Sequence, residues 1–218
     1  MIKSEVLNLT TPKCKFQFAW LVEPDTKFEQ PGVWKVTCLI NPTEAEDLIN
    51  QLDGLLERWK TQLKAAEPDK KFKLAALPWG TEEVDGEPYF VIKTKMKVGG
   101  INQAGKQWSN RPPSLFNSNG TPMTPEERNA VNKMGPGTEG QVSIRCSGYS
   151  GNFGVGIKIQ PEAAIIHKHI EYSKDATSKL WLSNERNNRS VSSPSHNRIN
   201  KCLSWRRVLN IEVNLRLA

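Results

Sequence analysis

Three lysines spaced two apart on an extended segment can neutralise a row of negative charges. In Phe90-Val91-Ile92-Lys93-Thr94-Lys95-Met96-Lys97 the two-residue period of a strand puts Lys93, Lys95 and Lys97 on one face. Ile92, Thr94, Met96 and Val98 turn to the other, mostly apolar face. Past Gly99-Gly100 the chain enters a polar loop that carries Lys106, Trp108 and Arg111. A single-stranded polynucleotide is held by cations along its phosphates and by aromatic faces under its bases. Other aromatic and cationic neighbours fit the same chemistry: Trp34 with Lys35, Tyr89 at the start of the lysine strand, and Tyr149 and Phe153 near Arg145 and Lys158. The competing reading makes the lysines a solvated edge face that discourages sheet-to-sheet association, and makes Trp34, Tyr149 and Phe153 core residues.

Other reactive sets are weaker. Glu82, Glu83, Asp85 and Glu87 crowd together as metal-binding carboxylates do, but they sit among Gly86 and Pro88 in a turn-like segment and are expected in a solvated loop. His167 and His169 can share a strand face, with no third ligand at a recognisable spacing. No phosphate-binding loop, nucleophile elbow or dinucleotide fingerprint occurs; Ser147-Gly148-Tyr149-Ser150-Gly151 is followed by no helix and reads as a hairpin. No catalytic set, cofactor or metal site is therefore assigned. Cys14, Cys38, Cys146 and Cys202 form no CxxC pair and are expected to be reduced and buried.

The elements that must carry these residues are legible in outline. Met1 to Leu9 suggests a first short strand, stopped at Thr11-Pro12. In Lys13 to Val22, alternation predicts Cys14, Phe16, Phe18 and Trp20 on the inner face of a second strand. Gly32 to Ile40 is β-branched and predicts a third. Thr43 and Glu46 have capping-box spacing, and Ala45, Leu48, Ile49, Leu52, Leu55, Leu56, Trp59 and Leu63 mark an amphipathic helix to about Ala66, with Trp59 in the core. Gly99 to Gly140 reads as mostly loop, with a short helix opened by Thr124 and Pro125. Gln141 to Cys146 and Val155 to Ile159 form a glycine-rich hairpin, extended through Glu162 to Ile170. Strands interrupted by one helix, with no βα repeat, predict a mainly β fold: a five-stranded antiparallel barrel of the oligonucleotide-binding (OB) type with an inserted amphipathic helix.

Charge divides the chain of 218 residues. Met1 to Ser178 carries 22 Lys and Arg against 21 Asp and Glu, whereas Lys179 to Ala218 carries 8 against 2. The net charge of +7 thus belongs to the end of the chain, and cationic placement in the body has to be local. Residues 1–175 are read as the binding domain and 176–218 as a basic, flexible tail. No run approaches the roughly 20 apolar residues of a membrane span, and the first residues lack a secretory core, so a cytoplasmic protein is expected.

Specific residues then resemble the phage single-stranded DNA-binding protein family. They are Ala19-Trp20-Leu21-Val22-Glu23-Pro24-Asp25-Thr26-Lys27-Phe28, Gly32-Val33-Trp34-Lys35-Val36, the helix opening Pro42-Thr43-Glu44-Ala45, and the closing Gly154-Val155-Gly156-Ile157-Lys158-Ile159-Gln160-Pro161. The likeness covers about Ser4 to Ser173. It implies an OB fold that coats and protects single-stranded DNA in phage replication, recombination and repair, without catalysis, in the cytoplasm of the bacterial host. It also implies partners among replication proteins such as polymerase or helicase/primase, self-association, and an acidic C-terminal tail that competes with DNA. This chain departs there, with Arg186, Arg189, Arg198, Arg206 and Arg207 in a basic tail. The expectation is phosphate neutralisation by Lys35, Lys93, Lys95, Lys97, Lys106, Arg111, Arg145 and Lys158, and stacking on Trp108 with one or two of Trp34, Tyr89, Tyr149 and Phe153. An RNA-binding or strand-annealing factor, a metal-dependent nuclease using the acidic run and His167/His169, and a structural virion protein are the alternatives.

Overall fold

The computed structural model describes residues 2–151 and 154–173. Phe153, Cys202, the 175/176 boundary and the basic segment 179–218 lie outside the described residues. The elements are β1 (Val6–Thr10), β2 (Cys14–Asp25), β3 (Val33–Ile40), α1 (Glu46–Ala66), β4 (Trp79–Val84), β5 (Glu87–Lys97), β6 (Gly99–Ile101), β7 (Gln107–Ser109), β8 (Ser114–Asn117), α2 (Pro125–Ala130), β9 (Thr138–Gly151) and β10 (Gly154–Lys168).

Among the described residues one sheet of eight strands runs β4-β5-β3-β2-β9-β10-β8, with β1 added beside β9. The fold is mainly β and mostly antiparallel, as expected, but richer than five strands. Its only parallel pair within this sheet is β8 with β10, where Leu115 stands beside Ala164. Nor does the hydrogen-bonded ladder close: β10 packs near β5 without pairing to it. The barrel expected from the sequence is therefore a strongly curled open sheet, with a cleft where the last seam would be.

The core lies inside this curl. Phe16, Val36, Cys38, Ile40, Ile92, Val142, Ile144 and Ile157 are among its buried side chains. Helix α1 buries the stripe Leu48, Leu52, Leu55, Leu56, Trp59 and Leu63 against it, packing on β9 and β10. Two indoles fix the helix by their polar edges: Trp59 Nε1 donates to the Tyr149 carbonyl at 3.1 Å, and Trp79 Nε1 donates to Asp53 Oδ1 at 3.1 Å. Trp59 is a core residue, as its place in the stripe predicts. Three cysteines, Cys14, Cys38 and Cys146, are free and buried. Burial pushes the Cys146 thiol up to about 12, and hydrogen bonding with Cys14 followed by burial pushes Cys38 well up, so neither is a nucleophile at neutral pH.

Four local expectations are corrected. The capping box of Thr43 and Glu46 does not form. Asn41 instead caps a short 3-10 turn, Pro42–Glu44, by accepting from the Thr43 N–H at 3.1 Å, and α1 begins one turn later behind Ala45. Thr124 does form a reciprocal capping box with Glu127, and Pro125 stands in the first turn of α2. The acidic run is a solvated hairpin rather than a loop: Glu82 and Glu83 lie on β4 and Glu87 on β5, and Asp85-Gly86 closes the turn, both at positive φ (55° and 82°). Asp-Gly is the expected pair for such a tight turn. The long stretch after Gly99 contains β6, β7 and β8, so it is less irregular than its composition suggests.

The fourth correction concerns β2. Its ladder with β3 pairs Gln17 with Thr37 and then Trp20 with Lys35, three steps on one strand against two on the other. This is a β-bulge, and the extra residue shifts the side chains that follow it to the opposite face, up to a second irregularity between Trp20 and Asp25. Cys14 and Phe16 point inward, but beyond the bulge Ala19 and Leu21 do so instead. Phe18 and Trp20 come out at 69% and 43% exposure. Among the described residues no helix is long and apolar enough to cross a membrane.

Candidate nucleic-acid interface

Strand β5 presents its side chains as the two-residue period predicts. Ile92, Thr94 and Met96 are buried, while Lys93, Lys95 and Lys97 are exposed on the outer face. The neighbouring ladder extends that face: Lys95 stands opposite Lys35 of β3, which stands opposite Trp20 of β2. Adjacent strands lie about 4.8 Å apart, so the row from Trp20 to Lys95 spans roughly 10 Å.

Between β5 and β10 opens a cleft of about 620 Å³. Lys93, Lys95 and Lys97 form one wall, Lys158 and Gln160 of β10 the other, and Trp108 and Tyr149 contribute the aromatic lining. Six of the residues singled out from the sequence therefore meet in one place, drawn from β5, β7, β9 and β10. Trp108 is held there by the β6–β7 hairpin, in which it pairs with Gly100. A Cβ on Gly100 would lie 3.3 Å from the Trp108 ring, so the indole rests directly on bare backbone. Trp108 remains 39% exposed, with surface left to offer. Asn110 ties the base of the hairpin to β5 by donating to the Lys97 carbonyl at 2.8 Å.

The lysines do not stand free. Lys93 pairs with Glu82 of β4 at 2.6 Å, and Lys97 with Glu29 at 3.4 Å; Lys95 also pairs with Glu29. The Lys95 hydrogen bond, reinforced by Lys97, holds the Glu29 carboxyl below its ordinary value. Exposed pairs of this kind are worth about 0–1 kcal/mol. A phosphate can therefore replace the carboxylate at small cost, and the lysines are oriented without being committed. Lys35 is held differently: its ammonium meets Asp25 Oδ2 at 2.5 Å, while the Lys27 N–H donates to Asp25 Oδ1 at 2.9 Å. Asp25 is buried, and the Lys35 hydrogen bond followed by that of Lys27 lowers its pKa.

The remaining expected residues fall elsewhere. Trp34 is only 5% exposed, because its position on β3 points inward opposite Met96. It offers no face for a base in this conformation, which corrects the stacking role given to it. Tyr89 stands at the far end of β5, where Lys15 Nζ donates to its hydroxyl at 3.0 Å and lies 5.4 Å from its ring centre. Arg145 lies on β9, outside the cleft lining, beside Gln160 and 3.7 Å from Glu162. Lys106 and Arg111 are exposed around the Trp108 hairpin, and no ion pair engages them or Lys158 among the described residues. His167 meets Gln141 at 3.2 Å, and no cluster of three metal-binding side chains occurs among the described residues.

Sequence reasoning missed Phe18 and Trp20, which it placed in the core, and it missed Glu29 and Glu82 as partners of the lysines. The bulge had a faint signal in the run Phe16-Gln17-Phe18-Ala19-Trp20-Leu21-Val22, where apolar residues become continuous after an alternating start.

No protein-family model and no curated protein sequence matches the chain. Solved structures do. Gp2.5, a single-stranded DNA-binding protein encoded by bacteriophage T7, superposes with a TM-score of 0.63 at 18% identity, covering 87% of this chain and 100% of that one. The single-stranded DNA-binding protein from bacteriophage Enc34 in complex with ssDNA gives 0.54 at 17%, covering 75% and 88%. Another structure of the Enc34 protein gives 0.54 at 16%, covering 80% and 89%. At these identities the likeness establishes a shared fold.

Proposed function

We propose that the chain is a single-stranded DNA-binding protein of the phage type, one that coats the strand by neutralising phosphates and stacking bases, without catalysis. The observation that carries this reading is the cleft: four lysines from two strands, with Trp108 and Tyr149 between them, in a body whose overall charge is close to balanced. General basicity does not account for that placement. The shared fold supports it, since the solved relatives are single-stranded DNA-binding proteins, one of them with DNA bound.

Binding should favour single strands, because a stacked duplex hides its base faces while an open strand offers them. Quenching of tryptophan fluorescence by poly(dT), set against duplex DNA and RNA of equal length, tests the proposal. Tight binding of poly(dT) with weak binding of duplex is the expected result; equal affinity for all three would remove the stacking component. Labelled strands incubated with the protein and Mg²⁺ or Mn²⁺ should remain intact, and cleavage would instead favour a nuclease. A role in replication or recombination, with replication proteins as partners, belongs to the same proposal.

The basic segment 179–218 is assigned, on its charge alone, an added salt-sensitive affinity for phosphates. Ending the chain at Ser178 should flatten the dependence of affinity on salt, and an unchanged slope would remove the tail from the account.

A further inference from the structure

We infer that the bulge in β2 builds a second base-stacking station, Phe18 and Trp20, on the sheet face beside Lys35 and Lys95. This assignment rests on the single-strand-binding reading and adds to it a site away from the cleft of Trp108 and Tyr149.

The backbone makes the case first. Phe18 sits at φ 50°, in the left-handed region that side chains other than those of glycine, asparagine and aspartate rarely adopt. A bulky aromatic there is strained, and strain persists where the surrounding structure imposes it. In this case burial gives nothing back, because the ring is 69% exposed. Had the strand kept its alternation, Phe18 and Trp20 would have followed Phe16 into the core. The bulge instead leaves both aromatics exposed to solvent, two residues apart in the chain.

Electrostatics identifies the occupant. Trp20 stands directly opposite Lys35, which stands opposite Lys95, so the aromatic pair borders a row of ammonium groups. An acidic protein segment would use the lysines and leave the ring faces idle, and an apolar peptide would cover the Lys35–Asp25 and Lys95–Glu29 pairs with nothing that exchanges with them. A nucleobase with its phosphate satisfies both. A strand crossing β2, β3 and β5 would set bases on Phe18 and Trp20, pass phosphates over Lys35 and Lys95, and reach Trp108 beyond.

The test compares dT12 with an abasic twelve-mer of the same phosphate backbone, using the full-length protein. Trp20→Ala should weaken dT12 binding about tenfold, in line with the loss of one stacked base, and leave abasic binding unchanged. Trp20→Phe should restore most of the affinity. Phe18→Gly, which suits φ 50° better than phenylalanine, should weaken dT12 binding while keeping the thermal midpoint at or above that of the original protein. That pairing separates lost stacking from lost folding. If the unaltered protein binds dT12 and both variants bind it equally well, this station is overturned and the cleft reading stands. If the unaltered protein binds no dT12, the reading beneath both is overturned.

Discussion

At the scale of single residues, Glu29 governs the lysine face. It pairs with Lys95 and Lys97 together, and the Lys95 hydrogen bond, reinforced by Lys97, lowers its pKa and so favours the charged form. A phosphate arriving at either lysine has to displace it. Glu29→Gln should therefore strengthen single-strand binding about two- to fivefold, the equivalent of one exposed ion pair. The pH dependence has a definite sign. In the free protein the paired carboxylate is stabilising above its ordinary pKa, and that contribution is lost as pH falls through the depressed value. Binding releases Glu29, returns its pKa upward and takes up a proton. Affinity for DNA should thus rise as pH falls through the carboxylate range, and Glu29→Gln should remove that part of the rise. Titrations across that range check both; an affinity that Glu29→Gln leaves unaltered throughout would exclude the competition.

At the scale of elements, the packing of α1 on β9 leaves no room to spare. A Cβ on Gly148 would lie 2.5 Å from the Trp59 ring, the same ring whose Nε1 holds the Tyr149 carbonyl. Gly148→Ala should cost about 1–3 kcal/mol, as overpacked cores do. It should also disturb Tyr149 at the cleft, so denaturant melts and DNA titrations should move together; a stable variant with normal binding would contradict the linkage. The elements also mark where the sequence could be read and where it could not. The lysine strand and the helix stripe were legible because a long periodic run constrains every residue in it, and the observed burial of Ile92, Thr94, Met96 and Trp59 follows that period. Strand β2 was misread after Gln17 because one inserted residue inverts an alternating pattern without altering its composition. Trp34 was misread for a related reason: a tryptophan beside a lysine suits an interface equally well, and only the inward half of the period at Met96 places it inside. The hairpin of β4 and β5 was missed because the turn signal at Gly86 and Pro88 was extended to the whole acidic run, whereas only Asp85 and Gly86 form the turn and the residues on either side are strand.

At the scale of the molecule, the open seam between β5 and β10 explains how a nearly neutral body can carry a polyanion site. The curl of the sheet leaves β5 unpaired against β10, and both strands turn lysines toward the gap. The membership of this cleft was only partly legible beforehand, since Lys158 and Tyr149 lie more than fifty residues from Lys93 and only the topology brings them together. The direct test follows from that geometry. Lys97 and Lys158 stand on opposite walls, and Lys60, paired with Glu57 on the exposed side of α1, serves as a control. The measurement is the slope of log affinity for a dT oligomer against log salt. Each phosphate contact to a single strand contributes about 0.7 to that slope. Lys97→Ala/Lys158→Ala should flatten it by about 1.4 and weaken binding, while Lys60→Ala should leave it unchanged. A double variant with the slope and affinity of the original protein would contradict it.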